Sequence, residues 1–334
     1  MTDDPQLTQL ISQPMPGNLS LRFQRQPSYL QACSQCGPDR EVLVAESEGE
    51  ILALCSHFRW TYWLQGRVRE LWMVGDFRVK PKAALRSITG QGWSALRERL
   101  GDVPAFMSIV DDNITAQRLF SKARKNWPVL HPVTQIVTYI LPLFATHRHS
   151  SLGMIQPSKE ALVGYLNKDR GRQAFAPVLK DENFGREAPD IHSFVGMMDG
   201  SELSACGGLW FQDQYRQISV DSYAGWYGKL KSLSQKIRLN LLPPLGSKLS
   251  VAYASFMRSS DDRTRKGLLN HLGGIARGQG ASFLVWGQNA NQAFPLSPLR
   301  PRFAYRSTLY QLIWPGREAS KLQAPYGNYE VAWL

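Results

Sequence analysis

The chain has 334 residues, of which 43% are hydrophobic and 20% charged, enough to bury one large or two ordinary cores. These proportions exclude a disordered chain, a fibrous repeat and a disulfide-framed miniprotein, and no apolar run reaches the ~18–20 residues of a membrane span. The net charge of +12 is spread, +4 over residues 1–150 and +8 over 151–334, which fits an anionic ligand, a nucleic acid or simple solubility. The opening MTDDPQLTQL is acidic and polar, unlike a secretory signal, and the expected location is the cytoplasm.

Residues 1–18, rich in Gln and Pro, read as an irregular arm. LSLRFQRQ (19–26) alternates like a strand, and 27–37 read as a short helix and loop. VLVAES (42–47), the turn Glu48-Gly49-Glu50 and ILALCSHFRWTYW (51–63) form a hairpin. RVRELWMVGDFRV (67–79) is a long third strand. A loop then leads into a helix that ends near LRERL (96–100), with Gly101 as its stop. AFMSIV (105–110) is a strand, DDNITAQRLFSKA (111–123) a capped helix, and QIVTYILPL (135–143) a closing strand.

After the polar ATHRHSS (145–151) the order starts again. A helix (158–170) precedes a second hairpin (192–198 and 202–211), and EGEILALC (48–55) parallels DGSELSAC (199–206). Strands at 217–224, 248–257, 281–289 and 306–314 follow, with a helix at 263–280. The basic, amphipathic 225–246 has no counterpart in the first half, and YEVAWL (329–334) reads as a strand completing a sheet edge. Self-similarity at this length implies duplication of a whole α+β domain.

The four cysteines include one C-x-x-C, Cys33 and Cys36. A structural zinc site needs a second ligand pair at similar spacing, and a redox pair needs a strand-to-helix turn, so these read as free thiols, with no metal expected.

The element order, with VGDFRVKP (74–81) feeding a loop and helix and then Asp111-Asp112-Asn113-x-x-Ala116-x-x-Leu119-Phe120-Ser121-Lys122, resembles the GNAT superfamily of acyl-CoA N-acyltransferases. The duplicated layout and WPVLHPVTQIVTYILPL (127–143) resemble a tandem branch of that superfamily. The resemblance implies a fold of two tandem GNAT-like domains, each a mostly antiparallel twisted sheet, mixed α/β overall, flanked by helices. The boundaries would be an arm (1–18), domain 1 with the acyl-CoA site (19–145), a linker (146–157), a degenerate domain 2 (158–317) and an extension (318–334). It also implies acetyl-CoA or another acyl-CoA as co-substrate, and a small-molecule or peptide amine as acceptor.

In such folds helix-start amides meet the pyrophosphate, glycines admit close approach, and the splayed strand pairs with the pantetheine arm. Carried over, cofactor contacts fall on Phe77, Val79, Arg86, Ser87, Ile88, Thr89, Gly90 and Asn113, with Phe77 or Val79 N–H holding the oxyanion. Asp76 is the candidate base, beside the earlier Glu70; His131 would flank the cleft, and Tyr139 would replace the missing acid. The sequence departs from the family pattern in two places. Anchored on Val79 and Pro81, the family's Arg and glycines become Ala84, Leu85, Ser87 and Thr89, and Phe120 stands where a proton-donating Tyr is common.

These departures keep a second reading open, a binding or scaffold protein of the same fold without turnover. Trp and Tyr beside basic residues in 225–238 also suit nucleic-acid stacking or an interfacial helix, although no recognised nucleic-acid motif accompanies them.

Overall fold

A computed structural model describes residues 3–14, 19–80, 85–120, 124–143, 153–168, 174–236, 242–298, 300–318 and 330–333. In chain order the elements are α1 (Asp4–Ile11), β1 (Leu19–Gln24), α2 (Tyr29–Gln35), β2 (Glu41–Ser47), β3 (Glu50–Leu64) and β4 (Arg67–Val79). Next come α3 (Leu85–Leu100), β5 (Ala105–Val110), α4 (Ile114–Phe120), β6 (Val129–Pro142), β7 (Met154–Ile155), α5 (Lys159–Asn167) and β8 (Ala174–Pro177). The chain continues with β9 (Phe194–Asp199), β10 (Glu202–Phe211), β11 (Gln217–Tyr223), α6 (Gly225–Lys236), β12 (Lys248–Leu249), β13 (Val251–Ser259), α7 (Asp262–Gly278), β14 (Phe283–Asn289) and β15 (Phe303–Ile313).

Twelve strands form one mixed sheet in the order β2-β3-β4-β5-β15-β6-β14-β13-β10-β9-β7, with β8 pairing to β3; β1-β11-β12 make a second sheet of three. The large sheet is open, not a closed barrel, and helices flank it. Two parallel contacts, β4 with β5 and β13 with β14, stand one in each half of the chain. The closing strands are exchanged: β6 of the first repeat pairs with β14 of the second, and β15 pairs with β5. Each repeat thus lends a strand to the other.

The repeats share a second feature. β4 bulges against β3, with Arg78 opposite Leu54 but Gly75 opposite Ser56, and Asp76 takes φ of 50°. β13 bulges against β10 in the same way, with Arg258 opposite Cys206 but Ser255 opposite Gly208, and Phe256 at φ of 51°. A left-handed backbone at a bulky non-glycine residue is uncommon and marks a constrained site.

Three segments differ from the sequence expectation. The expected arm contains α1, whose Leu7, Leu10 and Ile11 are buried at the i, i+3, i+4 spacing of one helix face. The expected loop after β4 is helical from Leu85 onward, and residues 81–84 lie outside the described residues. The C-terminal strand is instead a single 3₁₀ turn, Val331–Trp333, sunk in the core. It goes there because the gap beside the second bulge receives it. Glu330 accepts from the Phe256 amide (2.6 Å), and the Trp333 indole donates to Glu187 O (2.7 Å). The Trp333 ring then packs among Phe58, Trp60, Tyr62 and Phe256. Gly37, at φ of 119°, gives it room: a Cβ there would sit 2.7 Å from the Trp333 ring.

Candidate functional site

β4 and β5 are paired only through Trp72–Ala105, Met73–Phe106 and Val74–Met107. Both strands continue past that point, so they part and leave a cleft of about 410 Å³ in the middle of the sheet. The bulge fixes which amides face the gap. Trp72 N–H donates toward β5, to Pro104 O (2.9 Å), so Val74 also faces β5 and Gly75 faces β3. Beyond the bulge Lys80 N–H donates to Leu52 O on β3 (2.8 Å), so Arg78 faces β3 as well. The extra residue has inverted the alternation and turned the main chain of Phe77 and Val79 toward the open edge.

Asp76 lines the cleft with its carboxylate fully engaged. It accepts from Arg25 Nη2 (3.3 Å), the Tyr29 hydroxyl (3.1 Å) and the Ser56 hydroxyl (3.0 Å). Burial pushes this carboxyl up, but Arg25, then Arg40 and Arg78, and the Ser56 hydroxyl more than offset it, holding it well below the ordinary carboxylate value. A carboxylate held ionised in this way is a weak proton acceptor and a strong anchor for cations.

Phe77 lines the cleft and stacks on Trp93 of α3, ring centroids 5.4 Å apart; Phe120 closes against both rings. Val79 ends β4 opposite Ala53. Asn113 also lines the cleft, and its Oδ1 accepts from Ala116 N–H (3.0 Å) as the cap of α4. Leu85, Arg86, Ser87 and Ile88 are the first four described residues of α3. The side chains of Arg86 and Ser87 lie outside the described residues. Thr89 and Gly90 lie further along α3, where amides are used inside the helix.

Tyr139 and His131 are not brought to the cleft. Thr138 and Ile140 of β6 line it, so the period of two sends Tyr139 to the opposite face, where it stacks on Trp286 (5.1 Å) and lies tilted against Phe294 (4.8 Å). His131 is exposed, opposite Gln311. Glu70 is exposed too, paired with Arg59 (3.7 Å). The four cysteines are free and buried, and burial pushes the Cys33 thiol up to about 11 and Cys55 to about 12, which makes them poor nucleophiles. Among the described residues no group of His, Cys, Asp and Glu is arranged to hold a metal.

The sequence reading missed Arg25, Arg40 and Arg216, all of which line the cleft. Only the pairing of β1 with β11 reveals the first and last of these as neighbours. Its register ends at Gln24–Gln217, and Arg25 and Arg216, 191 positions apart in sequence, flank that last pair.

No protein-family model matches the chain, and no curated protein matches it in sequence. Solved structures do match. N-myristoyltransferase of Saccharomyces cerevisiae with bound myristoyl-CoA aligns at a TM-score of 0.59 and 8% identity, covering 94% of this chain and 80% of that one. A second structure of that yeast enzyme, with myristoyl-CoA and inhibitors, aligns at 0.57 and 9% identity, covering 94% and 78%. At this identity the likeness is one of fold. The paired parallel contacts and the open mixed sheet flanked by helices agree with it: the chain has the fold of the GNAT-superfamily acyltransferases, in a form similar to N-myristoyltransferase.

Proposed function

We propose that the protein is an acyl-CoA-dependent N-acyltransferase whose thioester lies between β4 and β5. The observation that carries this reading is the parting of the two strands after Val74 and Met107, next to a bulge that turns the Phe77 and Val79 main chain into the gap. An extended pantetheine arm needs such an unpaired strand edge, and the thioester oxygen needs a preorganised N–H donor where negative charge develops. The likeness in fold to an enzyme solved with myristoyl-CoA supports the same co-substrate class. In this reading the N-terminal end of α3, which follows β4 in the chain, meets the phosphates.

In the reaction the amine nitrogen attacks the thioester carbon. The C–N bond forms, the C–S bond breaks, its electron pair leaves on sulfur as the CoA thiolate, and one amine proton passes to that sulfur or to solvent. Phe120 has no proton to give, and Asp76 is held by its cations, so the thiolate leaves unaided. Desolvation in the cleft lowers an ammonium pKa and frees the attacking lone pair. A volume of about 410 Å³ holds on the order of a dozen waters. The three heavy atoms of an acetyl group leave most of it empty, so a longer acyl chain is the better occupant.

Calorimetric titration with acetyl-CoA and with decanoyl-CoA tests this. Binding at one site per chain, tighter for decanoyl-CoA, is the expected result. Absence of binding to both refutes the acyl-CoA reading and leaves a protein of this fold with another task.

A further inference from the structure

The cleft carries more positive charge than its own carboxylates balance. Its described lining has four arginines, Arg25, Arg40, Arg78 and Arg216, and two aspartates, Asp76 and Asp112. Asp112 is exposed at the start of α4, which leaves Asp76 as the carboxylate among the arginines. We propose that this arginine-rich end is a carboxylate-binding subsite, and that the acceptor is an amino acid or another amine carrying a carboxylate. The word "acceptor" rests on the acyltransferase reading; the subsite does not.

Three observations carry the inference. First, two of the guanidiniums are enclosed: Arg25 is 4% exposed and Arg216 7%, and they flank the last pair of the β1–β11 register, Gln24–Gln217. Burial lowers the Arg216 pKa, and the neighbouring charges of Arg25 and Arg40 lower it further, so the three cations share one low-dielectric space. Enclosed like charges are costly unless an anion offsets them.

Second, Arg216 Nη1 donates to Gln212 Oε1 (2.9 Å) and Ala332 O, and Arg78 Nη1 to Phe77 O (3.0 Å), but Arg40 keeps a donor unused. Arg40 lies over the Phe58 ring (4.7 Å), and its Nη2 is buried with no hydrogen-bond partner among the described residues. Its Nη1 lies 3.6 Å from where a Cβ on Gly75 would be, so the fork sits against β4 next to the bulge. Buried donors of this kind call for an acceptor, and a planar fork fits a carboxylate. Third, Glu330, beside Arg216, is not that acceptor. Its two oxygens go to the Phe256 and Ala332 amides (2.6 and 2.9 Å).

The position suits an amino acid. Gly75 and Asp76 immediately precede Phe77, whose main chain faces the thioester gap. A carboxylate held at Arg40 therefore leaves an α-amine within reach of the acyl carbon. The phosphates of CoA are the competing anion, but they belong at the start of α3, beyond the far end of β4.

The test is direct binding of the product type, independent of turnover. N-decanoylglycine and N-decanoylglycinamide differ only in carboxylate against carboxamide; N-acetylglycine and N-acetylglycinamide form a short-chain pair. Each is titrated calorimetrically into the full chain and into Arg40→Met, which removes the Nη2 donor that has no hydrogen-bond partner among the described residues. In at least one pair the carboxylate is expected to bind tenfold or more tighter than its amide, and Arg40→Met, folded by circular dichroism, to erase the preference. Equal affinity within each pair, no binding of any of the four, or a preference that survives Arg40→Met overturns the subsite. Acyl-CoA titration judges the acyltransferase reading separately. Acyl-CoA binding without carboxylate preference leaves that reading standing and removes this one; the reverse outcome does the opposite.

Discussion

Glu330 makes stability depend on pH in a direction opposite to that of most carboxylates. Burial raises its pKa to about 7 from an ordinary 4.5, against the opposing effects of the Phe256 and Ala332 amides, the Ser255 hydroxyl and Arg216. The folded chain therefore keeps a proton here that the unfolded chain has already released. Between about pH 4.5 and 7 the folded state binds more protons, and stability falls as pH rises. Outside that window the contribution is flat. The difference of roughly 2.5 units at about 1.4 kcal/mol each gives a total near 3.5 kcal/mol. Glu330→Gln keeps the shape and removes the ionisation. Its amide NH₂ faces one of two backbone N–H groups, so one hydrogen bond is lost, at about 1 kcal/mol. The variant should be about 1 kcal/mol less stable than the parent at pH 4.5 and about 2.5 kcal/mol more stable at pH 8. Urea unfolding at both pH values reads this as a crossing of midpoints. Parallel pH profiles for the two proteins would refute the argument.

Three further outcomes follow from the same contacts. Gly287→Ala places a Cβ 2.2 Å from Val331 Cγ1, so urea unfolding should show a loss of about 1–3 kcal/mol, and adding Val331→Ala should recover part of it; a neutral Gly287→Ala would mean that the C-terminal turn is not seated there. Asp76→Asn strands Arg25, at a cost of roughly 3–5 kcal/mol near neutrality. Because the folded pKa of Asp76 is depressed, its contribution is present above about pH 4 and lost as pH falls, so the deficit in urea midpoint should shrink toward pH 3; a constant deficit argues against the ion pair. Tyr139→Phe should leave acyl-CoA turnover within twofold of the parent, since the ring lies across the sheet from the cleft, and a tenfold loss in kcat would place the hydroxyl in the chemistry.

Much of the strand order was readable because its signals are local. β4 and β5 run between the limits that alternation and flanking Gly or Pro suggest, and the repeat of hairpin, long strand and helix shows in the residue pattern. The site was less readable because its determinants are not local. Period two says that Thr138 and Tyr139 face opposite ways, but not which of them faces the cleft. Nothing in GDFR announces a bulge, and Asp76 is not a residue chosen for positive φ. Arg25 and Arg216 meet only through a sheet between distant strands. The seating of Glu330 beside Phe256 has no sequence signature at all, since a short apolar tail reads equally well as an edge strand.

The two bulges show how one local arrangement, present in both halves of the chain, takes two tasks. Each repeat has parallel strands that part beside a left-handed residue, Asp76 in one and Phe256 in the other. Such a place exposes main-chain donors that must be satisfied when buried. In the second repeat the chain satisfies them itself. Glu330 takes the Phe256 amide, and Trp333 fills the space among aromatic rings from both halves. In the first repeat the cleft stays about 410 Å³ in volume, and arginines from β1 and β11 edges face it. The exchange of β6 and β15 ties the two together, so the filled repeat braces the sheet in which the open one lies. A cleft cut through the middle of a sheet forfeits ladder hydrogen bonds and packing; a closed twin sharing its strands offsets that loss without filling the cleft.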